Sequence, residues 1–339
     1  MAKTLARFIV TVVAAVVLVI CVAYKVGPEH SSAISFLQYI PYYVFLFPAF
    51  IAFLISFKLT MRWRLLAGTA LFLVPTVMMG LVIGIRDLGT EHIRVMTYNV
   101  KDYITLDNEG GFANIADEIA RHDPDILILQ DAGRINSRFE EVPATVRSLF
   151  GNRQVYAFGQ YTVASRYPLS GCHPGEIAFR EFEHTYVYCT VNTGFTQIDL
   201  YTAHFLSPRE GLNAVRHERL SGIEEWEQNV ADRLMQAASL AKDVRSSLRP
   251  IILAGDFNAP DSSLVVRRLV EAGVRDAFSS AGLGYGYSYG HSLRPGISFL
   301  RIDHIFVSPS IGVADCFVGG KLASPHRPVI ADLLLNHQS

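Results

Sequence analysis

The sequence predicts an α/β domain that follows three membrane-spanning helices. Two patterns carry this prediction: long uncharged runs near the amino terminus, and apolar strands that alternate with helices over the remainder. The apolar fraction, 50% of 339 residues, is high for a soluble chain, so part of it is expected in a membrane. We therefore assign residues 1–90 to a membrane anchor and residues 91–339 to one large folded domain.

Three uncharged runs are long enough to cross a bilayer. They occupy residues 8–24, 33–57 and 65–85, and their lengths of 17, 25 and 21 residues compare with the ~20 that a spanning helix needs. Buried core helices and, for the first run, a cleaved signal peptide are the alternatives, but three runs in succession favour membrane spans. Lys and Arg before the first run and in the loop 58–64 predict a cytoplasmic amino terminus. The chain is then an integral membrane protein whose residues 91–339 are extracytoplasmic.

Strands and helices alternate along the folded domain. "IRVMTYNV" (93–100) and "DILILQ" (125–130) are predicted buried strands, and the helix 112–122 between them carries apolar residues at helical spacing. Continuous apolar strands of this kind indicate sheets that are covered on both faces. The other predicted elements are strands at 161–169, 185–193, 198–205, 302–308 and 328–335, a strand that runs into a loop at 250–259, and helices at 228–247 and 263–273. The polar segment 208–228 is an insertion whose role the sequence leaves open.

Charge and cysteine content bound the environment of this domain. It holds 23 Lys and Arg (30 − 7) and 29 Asp and Glu (31 − 2), a net charge of −6, whereas nucleic-acid-binding domains usually have a basic surplus. An extracytoplasmic location would permit a disulfide, and Cys172 with Cys189 is the pair to test. Unpaired buried thiols are the equal alternative.

Polar residues that bind metals or move protons are predicted at the carboxyl ends of almost all the buried strands. Each one alone is more often a turn residue or a helix cap. Together they are hard to explain that way, because strand ends are where α/β proteins form ligand sites. The set consists of Asn99, Asp131, His204, Asp256, Asn258, Asp303 and His326.

The residue types are chemically coherent. Asp and Asn oxygens suit a hard cation such as Mg²⁺, and Mn²⁺ fits the same ligands. Histidines beside such a site can transfer protons, and an Asp can orient one of them. A metal with a His–carboxylate base is suited to the attack of water on phosphorus.

The order of short motifs resembles the endonuclease/exonuclease/phosphatase superfamily, which includes deoxyribonuclease-I-like nucleases, sphingomyelinases and inositol-phosphate phosphatases. The resemblance covers about residues 93–335, and its more specific motifs are "GDFN" and "IDHIFVS". It implies a four-layer α/β/β/α sandwich of two packed mixed sheets, with the active site at one end of the sheets. The other motifs in order are "MTYNV", "ILILQDAG", "VASRYPL", "YTAHF" and "SPHRPVIADL".

The resemblance also implies roles for the polar residues. His204 would contact the phosphate or act as general acid, while Asp256 and Asn258 would orient the nucleophile and the scissile phosphate. Asp303 would fix the tautomer of His326, which would be the general base or the electrostatic partner of the attacking water.

The metal ligands depart from the family pattern. Asn99 would help to bind the metal or the phosphate, and Asp131 stands where the family has a metal-ligating Glu. Pro325 replaces the Asp that usually precedes the last His. We therefore expect a weaker Mg²⁺ site or a different metal, with a water in place of the missing carboxylate.

Three functional hypotheses follow. The leading one is a membrane-tethered, divalent-metal-dependent hydrolase of phosphate esters, most simply a phosphodiesterase, whose partners are the lipid bilayer and a phosphoester such as a phospholipid headgroup. The second is an extracytoplasmic endonuclease or exonuclease acting on nucleic acid. The third, motivated by Pro325 and Asp131, is a degenerate domain that binds a phosphorylated ligand without catalysis.

Overall fold

The computed structural model describes residues 1–90, 92–141, 149–180, 182–218, 220–293 and 296–335. The chain divides into two compact units. The first unit contains residues 1–82 and 260–264, and the second contains 83–259 and 265–339. One residue of the insertion 208–228, residue 219, lies outside the described residues.

The first unit is helical, but it does not contain three continuous spans. Within the described part of the chain, one helix, α1, is long and apolar enough to cross a membrane, and it contains the first predicted run. The helices of this unit are α1 (Ala2–Val26), α2 (Ser32–Leu37), α3 (Leu46–Ser56) and α4 (Met61–Leu73).

The second and third predicted spans are wrong as single helices. The run 33–57 is divided between α2, a 3₁₀ turn at Tyr42–Phe45 and α3. Pro41 precedes that turn, and proline can neither donate to a helix nor leave its predecessor free to be helical. The run 65–85 ends its α-helix at Leu73 and continues only as a π turn at Val74–Met78, which contains Pro75. Apolar length alone therefore overestimated the helices, because proline interrupts the backbone ladder inside both runs.

The second unit is an α/β fold with two mixed six-stranded sheets. Each sheet has one parallel pair at its centre and antiparallel strands around it. In chain order the strands are β1 (His92–Asn99), β2 (Ile126–Gln130), β3 (Gln154–Phe158), β4 (Tyr161–Ser165), β5 (Leu169–Phe179), β6 (Phe182–Asn192), β7 (Gln197–His204), β8 (Ile251–Asp256), β9 (Arg275–Asp276), β10 (Asp303–Val307), β11 (Gly312–Val318) and β12 (Val329–Leu334).

The strand order places both parallel pairs in the interior of their sheets. The first sheet runs β11-β12-β1-β2-β4-β3, with β1 parallel to β2. The second runs β9-β10-β8-β7-β6-β5, with β7 parallel to β8. A parallel connection needs a crossover, which a helix supplies in each sheet. The helices of this unit are α5 (Asp102–Thr105), α6 (Gly111–His122), α7 (Gly133–Glu141), α8 (Arg209–Glu218), α9 (Gly222–Ser246), α10 (Leu264–Val270) and α11 (Ala277–Ala281).

The two crossover helices cover the outer faces of the sheets. Ile115 and Ile119 of α6 pack with Met96, Tyr98 and Leu127 of the first sheet. On the second sheet, α9 and α10 bury Ala237, Leu240, Val244 and Leu269 against Leu253 and Phe306. The sequence predicted these helices and strands because the apolar residues, recurring at helix or strand spacing, are the residues that these faces bury.

Side chains alternate along each strand between the outer face, which the helices cover, and the inner face, which faces the opposite sheet. Gln130 is fully buried there, and its Nε2 donates both to Thr97 Oγ1 at 3.0 Å and to Thr202 Oγ1 of the other sheet at 3.1 Å. A buried amide is tolerated only when its hydrogen bonds are made. This bridge therefore fixes how the inner faces of the two sheets meet.

The pair Cys172–Cys189 forms a disulfide across the hairpin β5–β6. The register of that hairpin shifts between Ser170 and His173, and Gly171 there has a φ of 59°. A glycine in the left-handed region is what a bulge of this kind requires, and the bulge places Cys172 opposite Cys189. Of the two alternatives that the sequence left open, the structure has the disulfide.

We predict that removal of this disulfide destabilises the folded domain. The free energy of unfolding of the double variant Cys172→Ala/Cys189→Ala should be lower by about 3 kcal/mol, the loop-closure value for a segment of this length. Its Tm should fall by roughly 5–10 °C. Thermal unfolding of the full chain in detergent, followed by near-ultraviolet circular dichroism, measures this.

Dithiothreitol provides the matched control. It should lower the Tm of the wild-type chain by a similar amount and leave the double variant unchanged, since the remaining cysteines, Cys21 and Cys316, are unpaired. Equal Tm values for the oxidised wild type, the reduced wild type and the variant would contradict the prediction.

Candidate functional site

The two parallel strand pairs bring four of the predicted residues to one edge of the domain. Asn99 ends β1 beside Gln130, the residue before Asp131. In the other sheet, His204 ends β7 directly beside Asp256, which ends β8. The carboxyl ends of parallel neighbours necessarily meet at the same sheet edge. Asn99, His204 and Asp256 also occupy inward-facing positions, so they meet between the sheets.

Asp303 and His326 reach the same edge from the opposite chain direction. The sequence placed them at carboxyl ends of strands, and this was wrong. Asp303 begins β10, which is antiparallel to β8. In the register of these two strands, Asp303 lies opposite Asp256. His326 precedes β12, which is antiparallel to β1. An antiparallel strand brings its amino end to the edge where its neighbour ends, so the juxtaposition is the same.

His326 and Asp303 form a buried pair. His326 Nδ1 lies 3.0 Å from Asp303 Oδ2 and 3.2 Å from Oδ1, and both residues are at most 2% exposed. Because a carboxylate only accepts, Nδ1 carries the proton and Nε2 remains as the atom that can exchange one. Burial alone would lower the pKa of His326, but the carboxylates of Asp303 and Asp256 and the hydrogen bond to Asp303 raise it above its ordinary value.

Ser324 shapes the turn before His326. Its hydroxyl donates to the carbonyl of Asn99 at 2.8 Å and accepts the backbone N–H of His326 at 3.1 Å. Pro325 stands between them, has no N–H and fixes its own φ. The turn that carries the histidine is therefore tied to the end of β1 without the aspartate that the family pattern usually has there.

The carboxylate of Asp256 connects these groups. Its Oδ2 accepts from Asn99 Nδ2 at 2.9 Å, and its Oδ1 accepts from the backbone N–H of Asn258 at 2.9 Å. The same Oδ2 lies 3.6 Å from His204 Nε2 and 3.7 Å from His326 Nδ1. Complete burial and the negative charge of Asp303 raise the pKa of Asp256, while the two histidines oppose that shift.

His204 joins Asp131 to this network. Its Nδ1 lies 2.7 Å from Gln160 Oε1 and 3.5 Å from Asp131 Oδ1. With Nδ1 donating to the Gln160 oxygen, the Nε2 of His204 faces Asp256. The side chains of His204 and Asp131 are each 16% exposed, whereas those of Asp256 and His326 are nearly inaccessible, so the site opens to solvent on the side of His204 and Asp131.

Asn258 forms a tight turn next to Asp256. Its φ of 50° is in the left-handed region, which asparagine adopts more readily than most other non-glycine residues. Its side-chain amide donates to the carbonyl of Phe205 at 2.9 Å, and its own carbonyl accepts from the buried guanidinium of Arg233 at 3.1 Å. The structure thus brings all seven predicted residues into one connected cluster.

Sequence reasoning missed the buried groups that support this turn. His304 Nε2 lies 3.0 Å from the carbonyl of Ala259, and its Nδ1 lies 2.8 Å from Asp276 Oδ2. Arg301 donates to the other oxygen of Asp276 at 2.8 Å. His304 follows Asp303 inside "RIDHIFVS", and the alternation of side chains along β10 could have indicated that it serves the opposite face of the sheet. Arg166 of "SRYP" lies outside the cluster and pairs with Asp125 at 3.0 Å.

The donor atoms of the cluster fit a hard divalent cation. Asp256, Asp303 and His326 offer ligand atoms that lie within 4.8 Å of one another. Burial and the neighbouring charge of Asp303 both raise the pKa of Asp256, and a cation beside the two carboxylates would relieve their repulsion. Asp131 and Asp256 supply carboxylate oxygens of the kind that Mg²⁺ prefers. The oxygen of Asn99 accepts from the Lys101 N–H, so its amide would have to turn to ligate.

Comparison with known proteins agrees with this architecture. A model of the "Endonuclease/Exonuclease/phosphatase family" matches residues 96–326. Truncated Caenorhabditis elegans TDP2 is 17% identical, with a TM-score of 0.52, covering 72% of this chain and 97% of that chain. The endonuclease/exonuclease/phosphatase from Bacteroides vulgatus is also 17% identical, with a TM-score of 0.54 and coverages of 72% and 99%.

A third structure of similar fold is D. rerio TDP2 complexed with single-strand DNA product. It is 13% identical, with a TM-score of 0.53, covering 72% of this chain and 99% of that chain. No curated protein matches the chain. Identities this low establish a likeness of fold alone.

We predict that Asp276 makes stability depend on acid pH. Burial would raise its pKa, but Arg301, His304 and the Ser279 N–H lower it well below the ordinary value of 3.8. Its contribution is therefore complete above about pH 4 and is lost as the pH falls through the lowered folded-state pKa. The isosteric change Asp276→Asn should cost about 3 kcal/mol of unfolding free energy at pH 7, because it removes the carboxylate charge beside the buried guanidinium of Arg301.

Urea unfolding of the two proteins from pH 7 to pH 2 tests this sign. The difference between wild type and variant should be constant down to about pH 4 and narrow below it. Asp117→Asn, at an exposed position, is the control and should match the wild type throughout. A difference that widens in acid would refute the assignment.

Proposed function

The chain belongs to the endonuclease/exonuclease/phosphatase family, and we propose that it is a membrane-tethered, divalent-metal-dependent phosphodiesterase. The observation that carries the proposal is the cluster around Asp256. There the buried His326–Asp303 pair, His204 and the Asn99 amide all lie within 4 Å of one carboxylate or of one another. A general base, a second histidine and a metal-binding carboxylate at one sheet edge are the groups that phosphoester hydrolysis requires.

His326 is proposed to activate the attacking water. Its Nε2 takes a proton as the water oxygen forms a bond to phosphorus, and Asp303 stabilises the imidazolium that results. The bond from phosphorus to the leaving oxygen then breaks, and His204 donates a proton from its Nε2 to that oxygen. Proton exchange with solvent, by which His326 loses a proton and His204 gains one, returns both histidines to their starting forms. A divalent cation held by Asp131 and Asp256, with Asn99, would neutralise charge on the phosphate. Asn258, fixed by its own hydrogen bonds, shapes the floor on which the phosphate lies.

Tethering and an extracytoplasmic location are part of the proposal. The apolar helix Ala2–Val26 is its candidate membrane span. The Cys172–Cys189 disulfide supports an oxidising compartment, since such bonds are rare in the cytosol. The other apolar helices of residues 1–82 are proposed to complete the anchor, with the amino terminus in the cytoplasm.

The tether favours a phosphodiester at the membrane surface, such as a phospholipid headgroup. Nuclease activity is the second candidate, favoured by the fold shared with D. rerio TDP2, which was solved with a single-strand DNA product. The net charge of −6 (23 − 29) over residues 91–339 weighs against it, because affinity for nucleic acid comes mainly from Lys and Arg. Parallel assays of one preparation, with sphingomyelin and phosphoinositide vesicles and with plasmid nicking, distinguish the two.

We predict that Mg²⁺-dependent hydrolysis of bis(p-nitrophenyl) phosphate by the full chain in detergent depends on His326 and Asp256. His326→Ala and Asp256→Asn should each lower kcat by about 10²–10⁴, the range for loss of a general base or an equivalent polar group. His217→Ala and Asp117→Asn, at exposed positions, are the matched controls and should retain wild-type rates.

Circular dichroism of each variant shows whether it is folded. Folded variants that hydrolyse the substrate at the wild-type rate would exclude this catalytic assignment. A wild-type chain that binds Mg²⁺ but hydrolyses no phosphoester would favour the non-catalytic, ligand-binding alternative.

We also predict that Asp131 limits metal affinity. Asp131→Glu extends the carboxylate by one methylene to the length that the family uses, and should lower the Mg²⁺ concentration for half-maximal activity by several-fold. Asp131→Asn should raise it by tenfold or more, because it removes a ligand charge. Metal titrations of activity, after treatment with EDTA, measure both, and identical titration curves for the three proteins would remove Asp131 from the metal site.

A further inference from the structure

Lys101 follows the strand that ends in Asn99, and its backbone is fixed by the site. Its φ of 42° is in the left-handed region, which lysine rarely adopts. The backbone N–H of Lys101 donates to Asn99 Oδ1 at 3.1 Å, and the N–H of Asp102 donates to the carbonyl of Asp131 at 3.0 Å. These two hydrogen bonds tie the backbone at Lys101 to two residues of the cluster, and they fix the point from which its side chain extends.

The ammonium group of Lys101 lies on the His326 side of the site. Its Nζ is 5.6 Å from the centroid of the Tyr289 ring, a cation–π arrangement. The Tyr289 ring centroid is in turn 4.6 Å from that of the His326 imidazole, at an interplanar angle of 41°. Backbone hydrogen bonds between Tyr289 and Phe299 and Leu300 hold the tyrosine in place. The charge of Lys101 is close enough to His326 to oppose the rise in its pKa.

Within the described part of the chain, Lys101 forms no ion pair: the salt bridges found there, all with N–O distances of 4.0 Å or less, do not include it. Its side chain is half-buried, so part of it remains accessible to solutes. An unpaired ammonium group beside a cluster of three carboxylates is a cation held available for another anion.

We propose that the Lys101 ammonium binds a non-bridging oxygen of the scissile phosphate, and that its cation–π contact with the Tyr289 ring positions the ammonium group for this. The inference rests on the proposed phosphodiesterase function and adds a substrate-binding residue to it. A phosphodiester anion that approaches Asp131, Asp256 and Asp303 meets repulsion, which the metal reduces and Lys101 reduces further. A lysine serves this purpose as a compact point charge with three donors.

Steady-state kinetics of the full chain in detergent with bis(p-nitrophenyl) phosphate and Mg²⁺ test the proposal. Lys101→Gln should raise KM by about tenfold or more, the loss expected for one charge-assisted hydrogen bond, and change kcat less. Lys101→Arg should restore KM to within a few-fold of wild type. Lys242→Gln, exposed on α9, is the matched control and should have wild-type KM. Added NaCl should raise the KM of the wild type more than the KM of Lys101→Gln, because salt screens the charge of Lys101, which the variant lacks.

Inorganic phosphate is the second probe. Its inhibition constant should rise in Lys101→Gln by a factor similar to that of KM. Unchanged KM and unchanged phosphate inhibition in Lys101→Gln would overturn the role of Lys101 while leaving the phosphodiesterase function intact. If the wild-type chain hydrolyses no diester, the proposed function fails separately, and calorimetric binding of phosphate then decides: weaker binding to Lys101→Gln supports the anion site, and equal binding overturns it.

Discussion

The hydrogen bond from Asn99 to Asp256 joins the ends of the two sheets, and the rest of the site depends on it. Asn99 belongs to one sheet and Asp256 to the other, and their side chains meet at 2.9 Å with no exposure to water. A buried carboxylate is unfavourable unless its oxygens are satisfied, and here both are. That requirement fixes the separation of the sheet ends, and with it the positions of His204 and His326, which contact the same oxygen.

The polar layer between the sheets has two parts with different consequences. Deeper in, Gln130 spans the gap between Thr97 and Thr202, and its donors and acceptor are used within the protein. At the edge, Asp256 and Asp303 lie opposite each other on neighbouring strands, and the pKa of Asp256 is raised by burial and by the charge of Asp303. The deeper amide stabilises the packing because its needs are met. The negative charge of the carboxylates at the edge is incompletely balanced, which favours the binding of a cation there.

The sequence predicted the sheets, the crossover helices and the members of the site because each leaves a local signature. Apolar periodicity identified β1, β2, β7 and β8, and the polar residue at the end of each strand, or directly after it, identified the cluster. Strand direction leaves no such signature, so Asp303 and His326 were assigned to the wrong ends of their strands. Arg233 and His304 were missed because they act from an outer face, through carbonyl groups of the turn at Asn258. The second and third spans failed because apolar length was weighed above the prolines at 41 and 75.

The position of β12 decides when the site can exist during synthesis. This strand lies between β11 and β1, so β1 gains its second neighbour only after Val329–Leu334 has been synthesised. His326 arrives with that same segment, 227 residues (326 − 99) after Asn99. Contacts so distant along the chain form late, after the local hairpins and helices. A nascent chain that has not reached β12, or a variant that lacks this strand, therefore has no assembled cluster, and any hydrolytic activity requires β12 to be paired with β1.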